Sequence, residues 1–172
     1  MHAAPSPCIA RSSPPLVLDA GCGPADDSSA FRALGLRAVG LDLSLGLLRA
    51  GTTVYPAPRV QADVRCLPFG AGVFAAAWAN ASLLHLEPEH LPLALDELRR
   101  VLAAGGLLHL ALKRGDGAAW ETARYGEPRW FQYWRELDLD ERLGTAGFRI
   151  VTGETIAGER DTWIFRRCVV AA

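Results

Sequence analysis

The segment Leu16–Pro24, reading LVLDAGCGP, restricts the folding of this chain more than any other. Three apolar residues lead into a carboxylate and then break at once into a Gly-x-Gly turn. A run without polar alternation suits a strand covered on both faces, and the turn allows an abrupt exit from it. Strand and helix signals then alternate. Asp27 to Leu34 is predicted helical and closed by Gly35, Arg37–Asp42 is a second strand, and Ser44 caps a short helix that ends before Gly51. Arg59–Ala62, Val73–Ala79 and Leu107–Leu112 read as three further strands. The longest helix is predicted from Pro88 to Leu102, with Leu91, Ala94, Leu95, Leu98, Val101 and Leu102 as its apolar stripe and Arg99 and Arg100 near its negative end. A Gly-rich, aromatic stretch follows, then a helix near Trp134–Leu143. Two last strands, Phe148–Thr155 and Thr162–Val170, are joined by Gly158–Asp161. Alternation of this kind implies right-handed βαβ units and a mostly parallel sheet with helices on both faces. The hairpin-like final pair requires one strand to run antiparallel.

In such a sheet, ligands sit beyond the carboxyl ends of the strands. The Gly21-Cys22-Gly23 turn lies there, and missing Cβ atoms let main chain and ligand approach closely. A dinucleotide loop wants a third glycine where this chain has Asp26, so a pyrophosphate would face carboxylates. Asp19, Asp26 and Asp27 instead suit a ligand carrying a cationic amine or sulfonium. Asp42 closes the second strand, where a carboxylate accepts both hydroxyls of a ribose; Asp63 follows the third, where one accepts from an exocyclic adenine amine. Together these strand ends match separate parts of an adenosine-like ligand.

Composition narrows the field further. The 172 residues carry 18 cations against 19 carboxylates, a net charge of −1, without the basic surplus of proteins that hold nucleic acid by its backbone. That length is one domain's worth: residues 1–15 are expected to be a flexible proline-rich tail and 16–172 the domain. No apolar run approaches the roughly 18 residues of a membrane span, and the first 15 residues lack the apolar core of a signal peptide. Cys8, Cys22, Cys66 and Cys168 are widely separated, which disfavours a disulfide framework or structural zinc site and fits a reducing cytoplasm. No metal is expected; the His85 and His90 spacing does not put both rings on one helix face.

These motifs, in this order, resemble the class I S-adenosylmethionine-dependent methyltransferases, in particular the small bacterial group related to the type 11 methyltransferase domain. The resemblance spans Leu16 to Cys168. It rests on Val17–Pro24, Val39–Ser44, Ala62–Phe69, Trp78–His85 and Leu98–Gly106. It implies a Rossmann-like, seven-stranded sheet ordered 3-2-1-4-5-7-6 with S-adenosylmethionine as cofactor and S-adenosylhomocysteine as product. Asp19, Gly21, Cys22 and Gly23 would then lie along the methionine part, Asp42 and Leu43 at the ribose, and Asp63 with the Val64 amide at adenine. Ala79 and Asn80 would lie near the sulfonium.

Some positions depart from the family pattern. Ala25 stands where a further glycine is common and Ala75 where an aspartate is common. Relatives also carry helices before the first strand that cover the cofactor; here such lid helices are expected to be reduced or absent, leaving an open site or one covered by a second subunit or by residues 113–135. His85 is the candidate general base, since an imidazole takes a proton near neutral pH. Lys113, Arg129 and Tyr133 are the candidate acceptor-binding residues, suited to an acid group on a flat or apolar body. The expected reaction is direct in-line methyl transfer to a small molecule. The alternatives are an RNA or protein methyltransferase, or a non-catalytic methyltransferase-like subunit that needs a partner.

Overall fold

The computed structural model describes residues 13–122 and 127–171, so the first 12 residues of the expected tail, Cys8 among them, lie outside the described residues. In chain order the elements are β1 (Leu16–Ala20), α1 (Asp26–Ala33), β2 (Arg37–Asp42), α2 (Leu45–Ala50), β3 (Arg59–Gln61), β4 (Phe74–Asn80), α3 (Leu91–Val101), β5 (Leu102–Lys113), β6 (Ala118–Thr122), β7 (Pro128–Gln132), α4 (Glu136–Thr145), β8 (Phe148–Ala157) and β9 (Thr162–Val170). Seven strands form one sheet in the order β3-β2-β1-β4-β5-β9-β8. Numbered among themselves, these are the expected 3-2-1-4-5-7-6. Strands β1 to β5 pair in parallel, and β9 runs antiparallel to both β5 and β8. Among the described residues no helix precedes β1.

The two sheet faces are covered by different helices. Leu108, Leu110 and Leu112 of β5 and Ile164 and Cys168 of β9 are buried on the face that α3 and α4 cover. Arg166 on that face pairs with Asp140 of α4 at 2.6 Å. On the other face Trp78 of β4 donates its indole N–H to Asp27 of α1 at 2.7 Å and stacks on His109 with ring centroids 3.8 Å apart.

Helix α3 is shorter than the sequence suggests. It starts at Leu91 with a proline in its first turn, where the missing N–H costs nothing, and passes at Leu102 straight into β5. A larger difference lies in residues 113–135, where the aromatic stretch contains a β-ribbon. β6 and β7 pair antiparallel with Trp120 directly opposite Trp130, their rings 5.9 Å apart. Cross-strand aromatic pairs stabilise such ribbons, but the short segments show no clear period in the sequence.

Leu98 of α3 is fully buried in the main core. Leu98→Ala is expected to cost about 2–5 kcal/mol, read as a lower midpoint of urea unfolding at unchanged slope.

Candidate functional site

The loop after β1 is tied to β2. The amides of Gly21 and Cys22 both donate to the Leu41 carbonyl, at 2.7 and 2.9 Å, so the chain folds back over its neighbour. Gly21 takes a positive φ of 81°, and a Cβ there would overlap Ser82 at the end of β4. No other residue type fits that crossing. Behind the loop, Gly51 lets the chain approach the Pro24 carbonyl, and Arg59 bonds the carbonyls of Pro24 and Leu48 at 3.4 and 2.9 Å. The sequence marked neither support.

Asp42 ends β2 and joins the two loops. One carboxylate oxygen accepts from the Gly23 amide at 2.8 Å and the other from the Ser44 amide at 2.7 Å. The side of Gly23 where a Cβ would project is open space, with nothing within 4 Å, while Leu43 beside it is 66% exposed. Two amides leave about two further acceptor directions on this carboxylate. Asp19 sits deeper, 3% exposed, and accepts from the Ser28 hydroxyl at 2.6 Å. Burial pushes its carboxyl from an ordinary 3.8 up to about 6, with the Ser28 hydrogen bond opposing and the Asp27 charge adding to the rise. Cys22 is buried and its thiol is pushed up to about 12 by burial first and then by Asp19 and Asp42, which leaves it an inert neighbour.

Asp63 follows β3 and is held in a two-pronged pair with Arg65, the closest contact being 2.6 Å; that hydrogen bond lowers its pKa first of all. Val64 beside it packs partly against the main core. At the end of β4, Ala79 is fully buried and Asn80 is exposed. Ala81 next to them has a φ of 53° and Ala25 after the β1 loop one of 73°, the two non-glycine residues with positive φ among those described. Both lie beyond the carboxyl edge of the central strands, where strain of about 1–3 kcal/mol each is commonly stored.

His85 closes a short 3-10 turn, Leu83–His85, directly after this point. Its Nδ1 lies 2.6 Å from the Trp130 carbonyl of β7. A carbonyl only accepts, so Nδ1 carries the proton, and in the neutral ring Nε2 keeps its lone pair. The residues proposed for an acceptor surround the same ribbon. Lys113, 5% exposed, is paired with Glu121 at 2.8 Å and Asp161 at 3.1 Å, and Tyr133 donates its hydroxyl to the other oxygen of Glu121. Arg129 sits directly across from Glu121 in the ribbon. A cleft of about 660 Å³ lies apart from the strand-end aspartates, between α3, α4 and the ribbon base, lined by Pro92, Asp96, Tyr133, Trp134 and Arg142 among others.

Gly21, Cys22, Gly23 and Asp42 are thus drawn into one group by loop hydrogen bonds, with Asp19 and Leu43 close to them in the chain, while His85, Lys113 and Tyr133 meet around the ribbon. The donor set along the β1 loop fits a ligand that carries positive charge and a diol, since it offers carboxylates and an open glycine edge. Among the described residues, no cluster of three or more histidines, cysteines or acids is arranged to hold a metal, and no helix is long and apolar enough to cross a membrane.

Comparison with known proteins places this arrangement. The family model described as a methyltransferase domain matches residues 18–110. A malonyl-[acyl-carrier protein] O-methyltransferase of Pseudescherichia vulneris is 34% identical over 152 residues, covering 87% of this chain and 56% of the relative. The chain spans about half the length of the curated relatives it matches. Among solved structures, a SAM-dependent methyltransferase from Methanosarcina mazei superposes with a TM-score of 0.84 at 18% identity, covering 93% of this chain and 94% of the other. The Burkholderia thailandensis 1,6-didemethyltoxoflavin-N1-methyltransferase, solved with 1,6-didemethyltoxoflavin and S-adenosylhomocysteine bound, gives a TM-score of 0.77 at 21% identity, covering 92% of this chain and 72% of that one.

Two outcomes follow from the loop. Asp19 binds a proton more tightly folded than unfolded, so the stability it supports is present at low pH and falls as pH rises from about 4 to about 6. The loss is about 3 kcal/mol, from a shift of about two pKa units at 1.36 kcal/mol each. Asp19→Asn is expected to flatten that part of the stability profile in urea titrations at pH 4, 5, 6 and 7; an unchanged profile would refute the burial of the charge. Gly21→Ala is expected to lose at least about 2 kcal/mol through the Ser82 overlap and the left-handed backbone, measured in the same way at pH 7.

Proposed function

Because the chain belongs to the methyltransferase domain family, we propose that it transfers a methyl group from S-adenosylmethionine to a small-molecule acceptor by direct in-line displacement. The observation that carries this reading is Asp42, a carboxylate at the end of β2 that also holds the Gly23 amide beside an open glycine edge. When bound, S-adenosylmethionine supplies a methyl group already activated on a positively charged sulfur. The protein is then left with binding, alignment and exclusion of water.

Each residue takes one part of that work. Asp19, Gly21, Cys22 and Gly23 line the path of the methionine portion, with carboxylate charge suited to its ammonium group. Asp42 accepts from the ribose hydroxyls, and Leu43 covers the sugar with apolar surface. Asp63 and the Val64 amide read the adenine edge, which requires Asp63 to share its oxygens between the ligand and Arg65. Ala79 and Asn80 end the strand at the point of transfer, where Asn80 is exposed to an incoming acceptor. The acceptor enters from the ribbon side, past Tyr133 and Arg129. Lys113 contributes from behind this surface, since its ammonium is already paired twice.

Calorimetric titration of the full chain with S-adenosylmethionine and S-adenosylhomocysteine is expected to give saturable binding to both. Asp42→Ala should weaken it about 10- to 100-fold, the range for lost hydrogen bonds to a charged group. A folded wild-type chain that binds neither compound would sink the methyltransferase reading.

A further inference from the structure

The aromatic ring of Phe131 contacts both a cation and an imidazole. Its centroid is 4.1 Å from the Lys113 ammonium and 4.8 Å from the centroid of the His85 ring. Phe131 is 9% exposed, so its ring is enclosed, whereas the His85 side chain itself is exposed. The residue before Phe131, Trp130, supplies the carbonyl that accepts the hydrogen bond from Nδ1. Two adjacent residues of β7 thus grip one imidazole, by an edge hydrogen bond and by ring contact. The ribbon is fastened to the sheet through Lys113, Glu121, Tyr133 and Asp161, three of whose contacts are charge-assisted hydrogen bonds or ion pairs.

We propose that His85 is the general base of the transfer and that β7 positions it, through the Trp130 carbonyl and the Phe131 ring that Lys113 backs, for acceptors whose nucleophilic oxygen carries a proton. The proposal rests on the methyltransferase reading above. An acceptor hydroxyl gives its proton to Nε2 as its oxygen forms a bond to the methyl carbon. The carbon–sulfur bonding pair stays on sulfur, the product is the methyl ether with neutral S-adenosylhomocysteine, and the imidazolium releases its proton to water. A carboxylate acceptor needs no base and would gain nothing from this histidine. It would also lack a partner in Lys113, whose positive charge is matched by Glu121 and Asp161.

The charges around His85 favour the neutral ring. Displacement of water by the protein lowers its pKa first; Arg129 and Lys113 act in the same direction, and the Trp130 carbonyl and Asp42 oppose them. Lys113 and Phe131 touch neither reactant in this scheme. They are positioning residues, and their substitution should move the state of His85 rather than cofactor affinity.

The test uses the full chain with 15N-labelled histidine. Long-range 1H–15N correlation spectra are expected to show His85 protonated at Nδ1 with a bare Nε2, and a titration midpoint below the ordinary 6.5 of histidine. Phe131→Leu and Lys113→Met should each give a mixture of tautomers, with S-adenosylhomocysteine affinity within about twofold of wild type. His85→Gln should lower kcat about 100-fold or more at unchanged KM. Activity is read with labelled S-adenosylmethionine on a panel of size-matched phenol–benzoate and alkanol–alkanoate pairs. An Nε2–H tautomer in the wild type, unaltered tautomers in both ribbon variants, or label on the acids alone would overturn the proposal. So would intact cofactor binding with no label on any alcohol or phenol. Absence of cofactor binding with the expected His85 spectrum would instead overturn the methyltransferase reading, and the two failures are therefore distinguishable.

Discussion

Parallel pairing of β1 through β5 decides where chemistry can occur in this protein. Strands that run the same way leave the sheet at the same edge, so each connection must climb back across a face, and every outgoing loop gathers on one rim. Asp19, Asp42 and Asp63 owe their common neighbourhood to that constraint alone, although up to 44 positions separate them in the chain. The antiparallel pairing of β9 with β5 then brings the turn before β9 to the same rim, which is how Asp161 reaches Lys113.

Function-related tension concentrates along this rim. Asp19 is held in a buried place where its charged form is disfavoured, with one hydroxyl as compensation. Ala25 and Ala81 adopt backbone angles that glycine would take without strain. At Ala25 the methyl group packs with Cys22 and Leu48 in a small second core. A glycine there would relieve the backbone and forfeit that packing, two effects of about 1 kcal/mol and opposite sign. An alanine at this family glycine position is therefore compatible with an intact loop.

The ribbon side is organised differently. Whereas the loops after β1 and β2 rely on main-chain amides and glycine turns, the ribbon relies on side-chain contacts that span the chain. His85 and Trp130 are 45 positions apart, and Lys113 and Asp161 are 48 apart. A loop built from backbone hydrogen bonds is tolerant of the residues that flank it. A ribbon held by a lysine, two acids and a tyrosine depends on each of them.

Much of this architecture is legible in the order of the residues alone. LVLDAGCGP announces a buried strand and a tight turn because apolar continuity and paired glycines act locally, and the parallel sheet with its antiparallel edge follows from alternation plus a final hairpin. The limits are also physical. The β6–β7 ribbon, with its five-residue strands, has no readable period, since its stability comes from facing partners such as Trp120 and Trp130. Lys113 reads as an acceptor-binding cation in one dimension, and in three it is enclosed by Glu121, Asp161 and the Phe131 ring. The sequence by itself determined the fold, the rim and the carboxylates on it, because periodicity and turn chemistry are properties of neighbours along the chain. Tertiary structure decided which of the remaining charges are committed and which imidazole nitrogen keeps its lone pair, because those depend on groups that only folding brings within hydrogen-bond reach.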